Sequence, residues 1–203
     1  MNEAHEQSEG GRGAWIAFEG LDGCGKSTQA RILAEKLGAI LTREPGSSEV
    51  GERIREVLLH QAGEISGRCE VLLFAADRAE HIETVVRPGL ERGRIVVSDR
   101  SVWSSAIYQG IGRGLGVENV LTVNDWGSDG VFPDIVVYLR TRPGVLEGLE
   151  NKDRIESAGE AFFSRVAAGF EEWAEREDWI VIDGGSIEET AAKIEAAVKA
   201  RLW

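Results

Sequence analysis

Gly20-Leu21-Asp22-Gly23-Cys24-Gly25-Lys26-Ser27-Thr28 is the stretch on which the reading of this chain turns. It has the form G-x-x-x-x-G-K-S, and both flanks matter as much as the string itself. Before it lies the apolar run Trp15 to Phe18; after it Ala30, Leu33, Ala34 and Leu37 fall on one face of a helix. A loop between a strand and a helix N-terminus, with glycines at 20, 23 and 25, can turn its backbone N–H groups around phosphate oxygens. In that setting Lys26 reaches the outer phosphates of a nucleoside triphosphate and the Ser27 hydroxyl suits Mg²⁺. The alternative, a tight turn that happens to match, leaves the flanking strand and helix unexplained.

Working outward, four more short runs rich in Val and Ile resemble the first: Ala39 to Leu41, Ile95 to Val97, Ile135 to Leu139 and Trp179 to Ile182. Continuous rather than alternating apolar character marks strands buried on both faces. Between them Phe162, Val166, Phe170 and Trp173 share a helical face, as do Ile187, Ala191, Ile194 and Val198. A further helix is expected from about Arg68 toward Pro88, interrupted there by the proline and Gly89. Strands separated by helices predict an α/β fold of the P-loop NTPase kind, a five-stranded parallel sheet flanked by helices with a short lid. We expect a disordered N-terminal tail over residues 1–13 and a single domain over 14–203.

Composition narrows the partners. Of 203 residues, 35 are acidic against 23 Lys and Arg, a formal net charge of −12, which argues against coating a nucleic-acid polymer. No apolar run approaches the roughly 18 residues of a membrane span, and the start carries no export signal, so a cytoplasmic place is expected. Two cysteines, Cys24 and Cys69, make no disulfide framework, and the scattered His5, His60 and His81 suggest no zinc site. Cys24 reads either as a reactive thiol or as a small loop filler. The glycine content, 25 residues, is high and partly concentrated where backbone must approach phosphate.

Ligands of such sheets bind beyond the carboxyl ends of the strands. After the second run stands Arg43, and after the third Asp99-Arg100. Read alone, Arg43 also suits a surface ion pair and Asp99 a helix N-cap. Two arginines and a carboxylate converging on one edge favour a second phosphate group and a metal held by Ser27 and Asp99. A guanine-reading N-K-x-D motif is missing; the nearest string, Asn151-Lys152-Asp153-Arg154, ends in arginine. A small phosphate-loop chain with extra arginines suits a kinase of a phosphorylated small molecule.

The chain resembles the thymidylate kinase family from Trp15 to the last helix. The resemblance rests on Phe18-Glu19-Gly20 leading into the phosphate loop; Thr42-Arg43-Glu44-Pro45-Gly46; Leu73-Phe74-Ala75-Ala76-Asp77-Arg78-Ala79-Glu80-His81; Asp99-Arg100 with Ser104-Ser105 and Tyr108-Gln109-Gly110; Gly112-Arg113-Gly114; and Asp153-Arg154-Ile155-Glu156. It implies transfer of phosphate from ATP, with Mg²⁺, to dTMP, giving dTDP in the route to dTTP. The loop from Gly20 to Thr28 would hold ATP. Phe74 would stack on thymine and Arg78 bond its edge, with core packing beside Leu72 and Leu73 as the other reading of Phe74. Arg43 and Arg100 would hold the dTMP phosphate, and Asp22 the sugar 3′-hydroxyl or the metal. Ser105 and Gln109 would face the base, and Tyr108 would close the space beside C2′ against a ribonucleotide.

Where some family members carry a catalytic arginine in the loop, this chain has Gly23, which directs attention to the lid that the resemblance implies at about 143–154 and to Arg154, with Lys152 and Arg113 in reserve. Lys26, Arg100, Arg154 and Asp22 are therefore the expected catalytic set. The resemblance also implies a homodimer packed through helices, and Trp103 and Trp126 are candidates for a partly exposed surface. Ser101 replaces the aromatic or histidine usual after Asp-Arg, Ile107 a smaller residue, and Arg140-Thr141-Arg142 follows the fourth strand where an acid is common. Two alternatives stay open at this point: a kinase of another nucleotide or small metabolite, and a phosphate-loop protein that binds without catalysis.

Overall fold

A computed structural model describes residues 13–60, 64–141, 154–155 and 157–202. Five strands, β1 (Trp15–Glu19), β2 (Ile40–Arg43), β3 (Val96–Asp99), β4 (Ile135–Arg140) and β5 (Ile180–Asp183), form one sheet in the order β2-β3-β1-β4-β5. Every pairing is parallel, as the apolar runs predict. The interior strands β1 and β4 are buried along nearly their whole length. β2 departs from expectation: as an edge strand it alternates, with Leu41 47% exposed.

Helices α1 (Lys26–Leu37) and α8 (Ile187–Leu202) cover one face, where Ala30, Leu33, Ile194 and Val198 pack on Ile16, Phe18, Val97, Val137 and Leu139. On the other face α7 (Glu160–Arg176) buries Phe162, Val166, Phe170 and Trp173 against Val136 and Tyr138. Alternate residues of β4 thus feed opposite cores, as period-2 geometry requires. Each fully buried side chain of this size contributes roughly 1.5–3 kcal/mol. Ser186 and Glu189 cap α8 reciprocally: each backbone N–H donates to the other's side chain, at 3.1 and 3.2 Å.

The helix expected from Arg68 to Pro88 begins as α3 (Gly67–His81) but is not interrupted at the proline. A π-helical turn over Ile82–Val86 intervenes, Arg87 N–H reaching back five residues to Ile82 O, and α4 (Arg87–Glu91) carries the chain past Pro88. The wider turn accommodates a ring that lacks an N–H and would otherwise press on the preceding turn. Among the described residues, helices α2 (Glu49–Leu59), α5 (Val102–Ser105) and α6 (Val117–Ser128) complete the set, with a second π-helical turn over Ala106–Gly112.

Of the expected tail, only Gly13 lies among the described residues; its N–H donates to Leu90 O at 2.9 Å, so it is pinned to the fold. The lid at 143–154 lies outside the described residues except Arg154. Trp103 is half-buried against Trp173 and Trp179, with ring centroids 5.2 and 5.5 Å apart, whereas Trp126 is 89% exposed.

Candidate active site

The carboxyl ends of β1, β2 and β3 meet by register: Phe18 and Arg43 both lie opposite Asp99. That register places the phosphate loop, the metal candidate and two arginines on one edge. Gly20 has φ +142°, and a Cβ there would come within 2.6 Å of Leu139 O, so this loop position demands glycine. Lys26 is buried and its Nζ donates to Leu21 O at 2.7 Å, folding back over the loop. Cys24 Sγ lies 3.8 Å from the same ammonium. The Ser27 hydroxyl donates to Asp99 Oδ2, while Asp99 Oδ1 is buried and has no hydrogen-bond partner among the described residues.

Arg100 occupies the left-handed region at φ 76°, uncommon for a side-chain-bearing residue. Its guanidinium donates to Asp22 Oδ1 at 2.5 Å and Ser104 Oγ at 2.8 Å, and lies 5.1 Å over the Tyr108 ring. Tyr108 donates its hydroxyl to the second Asp22 oxygen at 3.1 Å. Burial raises the Asp22 carboxyl, but Arg100 and Lys26 outweigh it and hold the group at about 2. Burial likewise pushes Tyr108 up, keeping it a neutral donor.

Beneath this lies a carboxylate that the motifs do not explain. Glu19 is fully buried and accepts from the backbone N–H groups of Ser101 and Ser104, at 2.9 and 3.2 Å, and from both their hydroxyls. Burial raises its carboxyl above the usual range. Ser101 thus gives both its hydroxyl and its N–H to Glu19, and the residue before Gly20 fixes the backbone that carries Arg100.

Seven of the eight expected acceptor residues line one cavity: Asp22, Phe74, Arg78, Arg100, Ser105, Tyr108 and Gln109. The eighth, Arg43, lies in the adjoining cleft with Ser27 and Asp99, and there donates to Glu52 Oε1 at 2.5 Å. Arg100 and Arg55 line both spaces. Phe74 is half-buried, neither wholly core nor free. Arg78, in contrast, is buried with its five N–H groups all directed at protein oxygens: Glu44 twice, Ser105, Asn124 and the Ser101 carbonyl.

From Arg78 a buried chain runs through Glu44 to His81 Nδ1 at 2.8 Å, and from His81 Nε2 to Thr42 Oγ1 at 2.9 Å. It ties the base side of the cavity to the strand that ends in Arg43. Burial raises the Glu44 carboxyl, yet Arg78 and His81 bring it below the ordinary value. Asp77, wedged against Gly46 N–H at 2.8 Å, is pushed up to about 7 by burial and by Glu44. A Cβ on Gly51 would come within 2.6 Å of its Oδ1, so α2 crosses α3 at this carboxyl.

Arg154 does not line either space; its guanidinium donates to Leu58 O at 2.8 Å and pairs with Glu70 at 2.7 Å. Arg113, its reserve, pairs with the same Glu70 at 3.2 Å. Sequence reasoning passed over Glu19, Glu44, Arg55, Glu70, His81 and Asn124. Glu19, Glu44 and His81 stood within the quoted motifs, but no local spacing marked them as buried partners of distant residues.

A strand, phosphate loop and helix followed by a cavity of this lining can be compared with known proteins. The family model described as Thymidylate kinase matches residues 18–194. The chain belongs to the thymidylate kinase family. A thymidylate kinase of Fervidobacterium nodosum is 44% identical over 179 residues, 84% of this chain and 90% of that one. One from Synechococcus sp. strain CC9605 is 40% identical over 207 residues, covering 94% and 97%. The crystal structure of thymidylate kinase from Ehrlichia chaffeensis superposes with a TM-score of 0.79 at 30% identity, covering 93% of this chain and 99% of that one. The thymidylate kinase match spans the phosphate loop, the cavity and the helices that frame them, so the P-loop NTPase fold and the kinase class hold for the chain as a whole.

Proposed function

We propose that the protein transfers the terminal phosphoryl group of ATP to dTMP, giving dTDP and ADP, with its own side chains in the following roles. The observation that carries the reading is the position of Arg100, which lines both the acceptor cavity and the cleft that holds Ser27 and Asp99. A cation there touches donor and acceptor phosphates at once, which in-line transfer requires. Lys26 exchanges the Leu21 carbonyl for phosphate oxygens, and the loop amides from Gly20 to Thr28 cradle ATP. Asp22 holds the acceptor sugar, Tyr108 closes the space beside C2′, and Arg43 and Arg100 take the dTMP phosphate. Phe74 stacks on the base with Ser105 and Gln109 beside it. For Arg78 to bond the base edge, its 3.3 Å bond to Ser105 is the one that a base carbonyl replaces most readily.

The residues present suit Mg²⁺. Asp99 offers a buried, unpartnered oxygen next to the Ser27 hydroxyl, and among the described residues no cluster of three acidic, His or Cys side chains competes for a metal. A sparse protein ligand set fits an ion that keeps its waters and takes phosphate oxygens. When bound, it offsets charge on the phosphates.

The exposed apolar side chains Val50, Leu72 and Trp126 on α2, α3 and α6, where α3 packs against both of the others, support a homodimer through this surface. Among the described residues no helix is long and apolar enough to cross a membrane. Free cysteines and the acidic balance are consistent with a cytoplasmic enzyme that does not hold nucleic-acid polymers.

Measuring ADP release from ATP and Mg²⁺ across dTMP, dUMP, dCMP, dGMP and AMP tests the reading. Saturable turnover is expected with dTMP in preference to the others. Turnover with another acceptor in its place, or with none, rejects it.

A further inference from the structure

We infer that Glu70 sets the base preference of the acceptor cavity by holding the Gln109 amide in one orientation. The inference rests on the proposal that this cavity takes the acceptor base. Glu70, Phe74 and Arg78 follow at intervals of four along α3 and so share one face of it. Glu70 is buried, and among the described residues its carboxylate receives four donors: Gln109 Nε2 at 2.8 Å, Arg113 Nε and Nη2 at 3.3 and 3.2 Å, and Arg154 Nη1 at 2.7 Å.

A carboxylate paired with two guanidinium groups only accepts hydrogen bonds. Gln109 must therefore turn its NH₂ toward Glu70, because the reversed amide would set oxygen against oxygen in a buried site. Gln109 is 1% exposed and lines the cavity beside Phe74, Arg78 and Ser105. With the NH₂ committed, the carbonyl oxygen is the fixed acceptor that Gln109 has for a ligand. Thymine and uracil carry a proton on N3 and can donate to it. Cytosine has a lone pair at N3, and a fixed acceptor there repels it. The pair Glu70–Gln109 thus selects pyrimidines with an imide edge, and an unmatched buried polar edge is the strong form of discrimination.

Glu70→Gln tests this, since a glutamine at 70 can donate or accept and lets Gln109 turn either way. The ratio of kcat/KM for dTMP to that for dCMP should fall at least tenfold, chiefly through KM. Arg113→Ala removes a different partner of Glu70 and should leave the ratio unchanged, although absolute rates fall. A ratio in Glu70→Gln equal to that of the unaltered enzyme overturns the inference, because a merely structural loss lowers both acceptors alike. Calorimetric binding of dTMP and dCMP to both proteins reads the same ratio without turnover. If the unaltered protein binds dTMP in preference to dCMP but transfers no phosphate, the proposed function fails while Glu70 is still tested by the binding ratio. If it binds neither nucleotide, both readings are overturned.

Discussion

Arg100 and Asp22 face each other at the mouth of the phosphate loop, guanidinium to carboxylate at 2.5 Å, with the Tyr108 hydroxyl on the second carboxylate oxygen. In this arrangement the cation proposed for the dTMP phosphate is balanced by the acid proposed for the sugar. A dTMP molecule would enter between partners already aligned, its phosphate taking over from Asp22 on Arg100.

Asp22→Asn keeps the shape and removes the charge. It should lower kcat/KM for dTMP by roughly 10²-fold, the usual scale for losing one preorganised polar contact at a reacting site. Steady-state kinetics with dTMP varied at saturating ATP checks this; a loss confined to the KM for ATP would place Asp22 on the donor side only.

Asp99→Asn addresses the metal. The hydrogen bond with Ser27 can survive, but the charge on the buried oxygen is lost. Half-saturating Mg²⁺ should rise by about 10- to 100-fold, in line with the loss of a group that fixes or ligates a metal. A titration of rate against Mg²⁺ at fixed ATP reads the change, and an unmoved midpoint would remove Asp99 from the metal site.

The pH dependence of stability has two opposite contributions. Asp77 rises from 3.8 to about 7 on folding, so the folded state binds more protons across that interval and stability from this group falls as pH climbs through it. Asp22 drops from 3.8 to about 2, so its contribution is present at neutral pH and lost on acidification through that range. Asp77→Asn should therefore flatten the decline in melting temperature between roughly pH 4 and pH 7, the interval set by the Asp77 shift. Parallel curves for variant and unaltered protein would show that Asp77 does not titrate there.

Glu19→Ala should destabilise the fold by about 3 kcal/mol or more, since it strands the buried backbone N–H of Ser101 and takes the acceptor from the Ser101 and Ser104 hydroxyls. Urea unfolding gives the value. Because those residues flank Arg100 on its chain, kcat should fall in the folded protein as well. Full activity with intact stability would mean that the Arg100 backbone holds itself.

What could be read from the sequence follows physical lines. The phosphate loop, Asp99 and the arginines at 43 and 100 were legible because local spacing dictates their geometry: a glycine-rich turn between strand and helix, and polar residues at strand ends. All five strands were legible for the same reason, as short apolar runs; what the run Ala39 to Leu41 did not show is that β2 lies at the sheet edge with Leu41 exposed. Glu70, Glu44 and His81 were silent because their meaning lies in partners such as Gln109, Arg78 and Thr42, dozens of residues away. Pro88 was read as a helix end because a local rule cannot see the π-helical turn that accommodates it. Arg154 was selected as the nearest lid cation, and nothing in its neighbours foretold that Glu70 would hold it.

Transfer of label from [γ-³²P]ATP to dTMP, with the product separated and counted beside Arg100→Ala, tests the central claim most directly. The unaltered protein should form labelled dTDP in a one-to-one ratio with ADP, and Arg100→Ala should lose roughly 10²- to 10³-fold in rate. Release of ADP without labelled dTDP, or transfer undiminished in Arg100→Ala, would contradict it.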